Sequence, residues 1–146
     1  MANSLIKSGF ETFEHGADIG IRGYGTCLEE AFSNGAKAMF SIMVDDLTKI
    51  EAKQRREISS FSFDLTGLFV AFLNTLIAEA DINHMVFSEF NCDIDTNTFS
   101  LKGEALGNTI PSGIGNIGVE IKGATFTEAK VEKRGDVFLA QCVVDV

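Results

Sequence analysis

A histidine, an aspartate and four glycines crowd into residues 13–25, with Asp18 three positions after His15. Glycine tolerates positive φ and close backbone approach, so the main chain of such a run can lie against a ligand or another strand. Because the neighbours Ala17 and Ile19 are apolar, the Asp18 carboxylate must be solvated, paired or bound to a cation. The segment is the first candidate for a functional site, with a turn or capping aspartate as the structural alternative.

A second acidic group stands at the other end of the sequence. Asp145 ends an otherwise apolar segment, and Val146 follows it as the last residue. The α-carboxylate of Val146 would lie close to the Asp145 side chain, so two oxygen groups converge there. Hard divalent cations such as Ca²⁺, Mg²⁺ and Mn²⁺ favour clustered carboxylate and carbonyl oxygens. An acidic strand end beside the Asp18 loop could therefore hold one cation, whereas a frayed terminus is the simpler alternative.

The other candidate residues carry weaker signals. His15 and His84 are the two histidines of the chain, and an isolated histidine is more often a hydrogen-bonded structural residue than a ligand. Lys122 is expected on a strand, on the face opposite Ile121, where a lysine is ordinarily solvated. The sequence contains no zinc-hydrolase, P-loop, dinucleotide-binding or G-x-S-x-G motif. No complete catalytic constellation is visible, which argues against an enzyme that acts alone.

Hydrophobic periodicity predicts the elements that must position these residues. Alternation predicts strands at about 10–14 and 18–24. A capping-box pattern predicts that Thr26 opens a first helix, and Asp64 is expected to cap a second. Both helices carry apolar residues at helical spacing, and the stripe of the second is so broad that it must pack on a large surface. A sheet is the natural partner.

The remaining segments are predicted mainly as strands. The sequence predicts a half-exposed strand near 58–63, followed by a hairpin of about 84–94 and 98–106. A glycine-rich loop over 107–118 and a final pair of strands at about 119–132 and 136–145 are predicted after it. Two helices among so many strands fit an α+β fold in which the helices cover an antiparallel or mixed sheet. Since no linker or repeat divides the chain, a single domain over 1–146 is expected.

Composition limits the class of protein. The 146 residues are 45% hydrophobic, which is enough to build one sizeable core. No apolar run approaches the ~20 residues of a membrane span and no secretory signal is readable, so a cytoplasmic protein with no membrane contact is expected. The three cysteines are widely spaced, which predicts reduced thiols. A net charge of −9 disfavours direct contact with nucleic acid, so a partner would hold any RNA.

Three blocks together span nearly the whole chain. The first comprises 13–25, 28–32 and 39–43, the second 69–77 and 86–90, and the third 119–126, 130–133 and 143–146. In their order and spacing these blocks resemble the archease family. Some positions depart from the family pattern. Gly16 replaces a threonine after the motif histidine, Phe126-Thr127 replaces a Tyr-His pair, and the 107–118 loop lacks an expected histidine.

The resemblance implies a small α+β protein that activates an RtcB-type RNA ligase, the enzyme that joins RNA 2′,3′-cyclic phosphate or 3′-phosphate ends to 5′-hydroxyl ends, as in tRNA splicing. Such a protein is a cofactor of the ligase: it helps the ligase attach GMP to its own active-site histidine and sustains turnover. Asp18 and Asp145 match the family's divalent-cation site, for Ca²⁺ in the first place, with Mg²⁺ or Mn²⁺ as alternatives. Lys122 matches a lysine needed for activation, and His15 belongs to the opening motif and is a candidate partner contact.

Two other functions stay open on the sequence alone. A chaperone-like scaffold for RNA-modifying enzymes would not need Asp18 and Asp145. A small metal-dependent phosphoester hydrolase should turn over its substrate without a partner.

Overall fold

The computed structural model describes residues 7–110 and 119–146. Its elements are, in chain order, strands β1 (Gly9–His15) and β2 (Asp18–Gly25), helix α1 (Leu28–Met43), a short 3-10 helix (Leu47–Lys49), strand β3 (Gln54–Phe61), helix α2 (Leu65–Asn83), and strands β4 (Met85–Asp95), β5 (Ser100–Thr109), β6 (Gly123–Ala124), β7 (Lys130–Arg134) and β8 (Val137–Asp145). The predicted α+β class, with two main helices packed on antiparallel strands, is confirmed.

The strands form two antiparallel sheets. The first has the order β1-β2-β8-β6, and β7 also pairs with β8, so β6 and β7 follow one another along one edge of β8. The second has the order β3-β5-β4. Helix α1 contacts β2 and β4, and helix α2 contacts β3 and β6, so each helix touches both sheets. The helices therefore join the two sheets around one hydrophobic core.

Phenylalanine rings fill the centre of this core. The rings of Phe32 in α1 and Phe69 in α2 meet edge to face with centroids 5.1 Å apart, and Phe40 meets Phe87 of β4 in the same way at 5.7 Å. All four side chains are fully buried. Aromatic pairs of this geometry contribute about 0.5–1.5 kcal/mol beyond the burial of their area. They fix both helices against each other and against the second sheet.

Helix α2, with 19 residues, is long and apolar enough to match a membrane span by length and composition. The sequence contains no uninterrupted apolar run of that length, because Asn74, Thr75 and Glu79 lie within the helix. The buried residues of α2 contact strands of both sheets and a ring of α1. This is the packing of a core helix.

The two helix starts differ in how well the sequence predicted them. Asp64 caps α2 as expected, because its Oδ1 accepts the backbone N–H of Gly67 at 2.7 Å. The prediction for α1 was wrong by one residue: Cys27 is the N-cap and makes no side-chain capping bond. Glu30 instead accepts the backbone N–H of Thr26 at 2.6 Å, so the carboxylate reaches back one residue further than in a capping box.

Two boundaries near the C-terminal strands also differ from the prediction. The predicted strand at 119–132 begins only at Gly123 and is then interrupted, since β6 ends at Ala124 and β7 begins at Lys130. The predicted loop over 107–118 begins too early, because β5 continues to Thr109. Residues 111–118 of that loop lie outside the described residues.

Candidate functional site

The strand register brings the predicted acidic residues to one end of the first sheet. His15 of β1 lies opposite Asp18 of β2. The β2–β8 pairing reaches Ile19 opposite Val144, so the next step along both strands sets Asp18 beside Asp145. Directly opposed residues of antiparallel strands point to the same face, with Cβ atoms about 4.5–5.5 Å apart. The register therefore places His15, Asp18 and Asp145 in one row across three strands.

The last residue of the chain is held in the same place. The backbone N–H of Val146 donates to Oδ1 of Asp18 at 3.4 Å, a long hydrogen bond. The Val146 side chain packs against the hydrophobic core. These two contacts fix the end of β8 beside the Asp18 carboxylate.

Exposure at this end of the sheet leaves the oxygens accessible. Asp18 is half-buried and Asp145 is exposed. An open cleft of about 720 Å³ includes Asp18 and Val146 in its lining, together with Phe13, Glu14 and neighbouring residues of the β1–β2 turn. Within the described ranges, no three side chains of His, Cys, Asp or Glu converge as a ready metal cluster. The side chains of Asp18 and Asp145 bring carboxylate oxygens to this sheet end, and hard cations such as Ca²⁺ bind oxygens of this kind.

The β1–β2 turn that carries Asp18 depends on two glycines. Gly16 has a φ of +60°, which a glycine adopts without strain. A Cβ on Gly20 would lie about 2.1 Å from the ring of Phe13, so this ring lies directly over the glycine. The Arg22 guanidinium lies 4.2 Å from the centroid of the same ring. Backbone conformation thus explains Gly16, and packing against Phe13 explains Gly20.

A polar network continues from this ring along the same face of the sheet. Arg22 donates to Glu11 at 3.1 Å and to Gln141 of β8 at 2.6 Å, and the Tyr24 hydroxyl donates to Glu11 at 2.8 Å. Burial of Tyr24, together with its bond to Glu11, raises the pKa of that phenol. The network links β1, β2 and β8 and so stabilises the strands that position the acidic residues.

Lys122 lies at the same end of the sheet as the acidic residues. Its backbone N–H donates to the carbonyl oxygen of Asp145 at 2.9 Å, just before β6 begins. The Lys122 residue is exposed, whereas the adjacent Ile121 is 4% exposed and joins the core. The predicted difference in exposure is therefore present, but the prediction that Lys122 lies on a strand is wrong, because β6 begins at Gly123.

Asn74 of α2 is a positioning residue that the sequence pattern did not reveal. Its Nδ2 donates to the carbonyl oxygen of Ala124 at 3.1 Å, and its Oδ1 accepts the Ala124 N–H at 2.9 Å. The amide thus satisfies the free edge of β6 as a neighbouring strand would. The only sequence signal is a polar residue inside an apolar helix, which is ordinarily interpreted as solvated.

Replacing Asn74 by leucine should loosen β6 without unfolding the protein. Leucine has a higher helix propensity than asparagine but removes two hydrogen bonds worth about 1 kcal/mol each. We expect the Ala124 amide to exchange its hydrogen at least roughly tenfold faster, as measured by NMR. Ala78→Leu, which puts leucine at an exposed position one turn further along α2, is the matched control. Unchanged exchange in Asn74→Leu would contradict the positioning role.

The other candidate residues have structural roles. His84 ends α2 in the left-handed conformation with a φ of 52°, and its N–H donates to the last turn of the helix. The three cysteines are free thiols. Burial raises the pKa of Cys92 to about 11 and that of Cys142 to about 12, so both stay protonated at neutral pH.

The fold and this sheet end define a class of small α+β proteins with two helices between antiparallel sheets and an acidic strand end. The family model described as "Archease protein family (MTH1598/TM1083)" matches residues 10–146. The chain belongs to the archease family.

Similar proteins cover nearly the whole chain. Protein archease from Sulfurisphaera tokodaii is 38% identical over 137 residues, which is 94% of this chain and 98% of that protein. Protein archease from Pyrococcus abyssi is 38% identical over 140 residues with the same coverage. The solution structure of Methanobacterium thermoautotrophicum protein 1598 matches with a TM-score of 0.78 and 34% identity, covering 94% of this chain and 99% of that one. A Thermotoga maritima archease, described as a possible chaperone, shares the fold with a TM-score of 0.60 and 21% identity, covering 93% and 96%.

Proposed function

We propose that this chain activates an RtcB-type RNA ligase. The observation that supports the proposal best is the register that brings Asp18, Asp145 and the main chain of Lys122 to one sheet end in a member of the archease family. In this role the chain is a protein cofactor, not an enzyme. It promotes transfer of GMP to the ligase and repeated joining of RNA ends, and it reaches RNA only through the ligase. Its proposed location is the cytoplasm.

The oxygens of Asp18, Asp145 and the Val146 carboxylate would hold a divalent cation, Ca²⁺ first and Mg²⁺ or Mn²⁺ as alternatives. Such a cation would supply positive charge that neutralises phosphate during nucleotidyl transfer. The Asp18 and Asp145 side chains would hold it from two neighbouring strands. The Lys122 ammonium, exposed beside them, meets a phosphate or an acidic surface of the ligase, and His15 in the same row is a candidate second contact.

A turnover assay tests this proposal. With the cognate RtcB-type ligase, GTP and Mn²⁺, adding the chain should change slow or single-turnover joining into repeated turnover. A chaperone-like scaffold is the second candidate, favoured by the description of the Thermotoga maritima archease as a possible chaperone. If the intact chain gives no stimulation but prevents aggregation of an RNA-modifying enzyme, the scaffold function replaces the proposed one.

Extending the chain past Val146 should weaken cation binding. A C-terminal tag converts the α-carboxylate into a peptide group and crowds the strand end beside Asp18. By contrast, a tag of the same sequence at Met1 leaves that carboxylate free. We expect calorimetry with Ca²⁺ to show clearly weaker affinity for the C-terminal tag only, and equal affinities would remove Val146 from the proposed ligand set.

A further inference from the structure

The outer edge of strand β3 is a row of main-chain groups that point away from the rest of its sheet. In the order β3-β5-β4, β3 pairs with β5 on one side, and no strand in the described part of the chain pairs with its other side. The backbone N–H of Ser62, which continues the register, donates to the carbonyl oxygen of Phe99 on the β5 side. Because alternate residues of an antiparallel strand bond to the same neighbour, the even-numbered residues of β3 face β5. The outward N–H and C=O groups belong to Arg55, Glu57, Ser59 and Phe61.

Hydrogen bonds at the two edges of this sheet agree with that assignment. The carbonyl oxygen of Arg55 accepts Nη1 of Arg56 at 2.9 Å, as expected of an outward group. On the opposite edge, the backbone N–H of Ile94 in β4 donates to Oε2 of Glu29 in α1 at 3.2 Å. Helix α1 thus supplies a partner to the β4 edge, whereas the β3 edge draws on a side chain of its own strand. Natural edge strands are often protected by a proline or a β-bulge, and β3 has neither.

We propose that β3 pairs antiparallel with β3 of a second copy of this chain, so that the two three-stranded sheets join into one continuous sheet. In one register, Ile58 lies opposite Ile58 of the second copy, and every outward residue meets an outward residue. All outward N–H and C=O groups of both strands are then bonded, which no other register achieves. Such an interface is isologous, since the same residues meet on both copies across a two-fold axis. It uses no residue of the candidate site, so the inference goes beyond the proposed function and does not rest on it.

The charges of β3 fit this register. Charged residues on an edge strand ordinarily discourage pairing, and β3 carries two arginines and a glutamate. Each of them meets a neutral residue of the second copy: the opposed pairs are Arg55 with Phe61, Arg56 with Ser60, and Glu57 with Ser59. Like charges directly opposite each other destabilise a strand pair, and this register contains none.

A strand of a different protein is the other possible occupant of an open edge. The match of β3 to itself, in hydrogen bonds and in charge, favours a second copy. The net charge of −9 opposes the association of two copies at low ionic strength. The pairing should therefore weaken as salt is removed.

Sedimentation equilibrium tests the proposal in about 0.15 M salt, where the Debye length is about 8 Å. At roughly 1 mM protein, where even a millimolar interaction is populated, the intact chain should show a mass approaching twice the 15.8 kDa of one chain. Ser59→Pro should stay single, because its ring takes the place of an outward N–H while no bond to β5 is lost. Ser59→Ala keeps the N–H and is the matched control, which should associate as the intact chain does. Circular dichroism checks that both variants fold.

A charge exchange tests the register itself. Phe61→Lys sets a lysine opposite Arg55 of the second copy and should also give single chains. Adding Arg55→Glu should restore the dimer, because the opposed residues then carry opposite charges. In the intact chain, the outward amide of Ser59 should exchange its hydrogen roughly tenfold more slowly, or slower still, in the dimer than in dilute protein.

Three results would overturn the inference. The first is a mass of one chain for the intact protein at roughly 1 mM. The second is a dimer that both Ser59→Pro and Phe61→Lys leave intact, because such a dimer uses another surface. In the third, the intact chain stays single and the Ser59 amide becomes protected only when the cognate ligase is added, so that the edge binds a strand of that partner.

Discussion

Replacing Asp18 by asparagine should reduce joining by the cognate ligase to the rate of the ligase alone. Asparagine keeps an oxygen that can accept the Val146 N–H, so the local backbone is preserved while the negative charge is lost. Even the loss of a residue outside the ligand shell lowers metal affinity by roughly 10–100-fold at metal sites, and a lost carboxylate ligand should cost at least as much. Asp145→Asn should have the same effect, because the exposed Asp145 carboxylate is proposed to bind the same cation.

The Lys122→Met variant separates cation binding from contact with the ligase. It should lose stimulation but bind Ca²⁺ as the intact chain does, because the lysine is proposed to contact the partner. The matched control for the two aspartate variants is Asp93→Asn, which neutralises an exposed aspartate on β4 of the other sheet. It should retain full stimulation. Ligase guanylylation and multiple-turnover joining are the measurements. Full stimulation by Asp18→Asn would refute the mechanism.

Replacing Gly23 by alanine should produce the largest loss of stability. A Cβ at Gly23 would lie 2.1 Å from the carbonyl oxygen of Ala31 and 2.2 Å from the backbone nitrogen of Gly35. Both atoms belong to the main chain of α1, so no side-chain rotation relieves the clash, and α1 must move away from the sheet. Overpacking of this kind typically costs about 1–3 kcal/mol, and we expect about 3 kcal/mol at Gly23.

Thermal unfolding measures this effect. A loss of about 3 kcal/mol should lower Tm by roughly 10 °C for a chain of this size. Gly123→Ala is the matched control, because its added Cβ would meet only the Asn74 Oδ1 within 4 Å, at an ordinary 3.6 Å. A Gly23→Ala protein as stable as Gly123→Ala would show that α1 and β2 do not approach each other this closely.

Local patterns predicted the elements that are determined by local sequence. Alternation located β1 and β2, and Asp64 marked the start of α2 because a capping aspartate acts within one turn of chain. The segment 119–132 was predicted as one continuous strand. The interruption after Ala124 arises from hydrogen bonds to Val143 and Gln141 of β8. Such distant partners leave no signal in the local pattern.

The candidate site could be predicted only in part for the same reason. The residue types at Asp18 and Asp145 suggested a cation, but their proximity depends on the register between β2 and β8, which the sequence does not encode locally. The partition of the strands into two sheets was likewise not predicted. The role of Asn74 could not be predicted because its partner is the main chain of Ala124, and a main-chain partner has no side chain that marks it in the sequence.

A crystal structure of the intact protein soaked in Mn²⁺ tests the central claim most directly, because anomalous scattering locates the ion without reference to the protein geometry. We predict one bound ion that is shared by a carboxylate oxygen of Asp18, a carboxylate oxygen of Asp145 and the terminal carboxylate of Val146. A parallel soak in Ca²⁺ should give ligand distances of about 2.3–2.6 Å. The absence of an anomalous peak between these residues at saturating Mn²⁺ would contradict the claim. A structure in which the Asp18 and Asp145 side chains point away from each other would also contradict it.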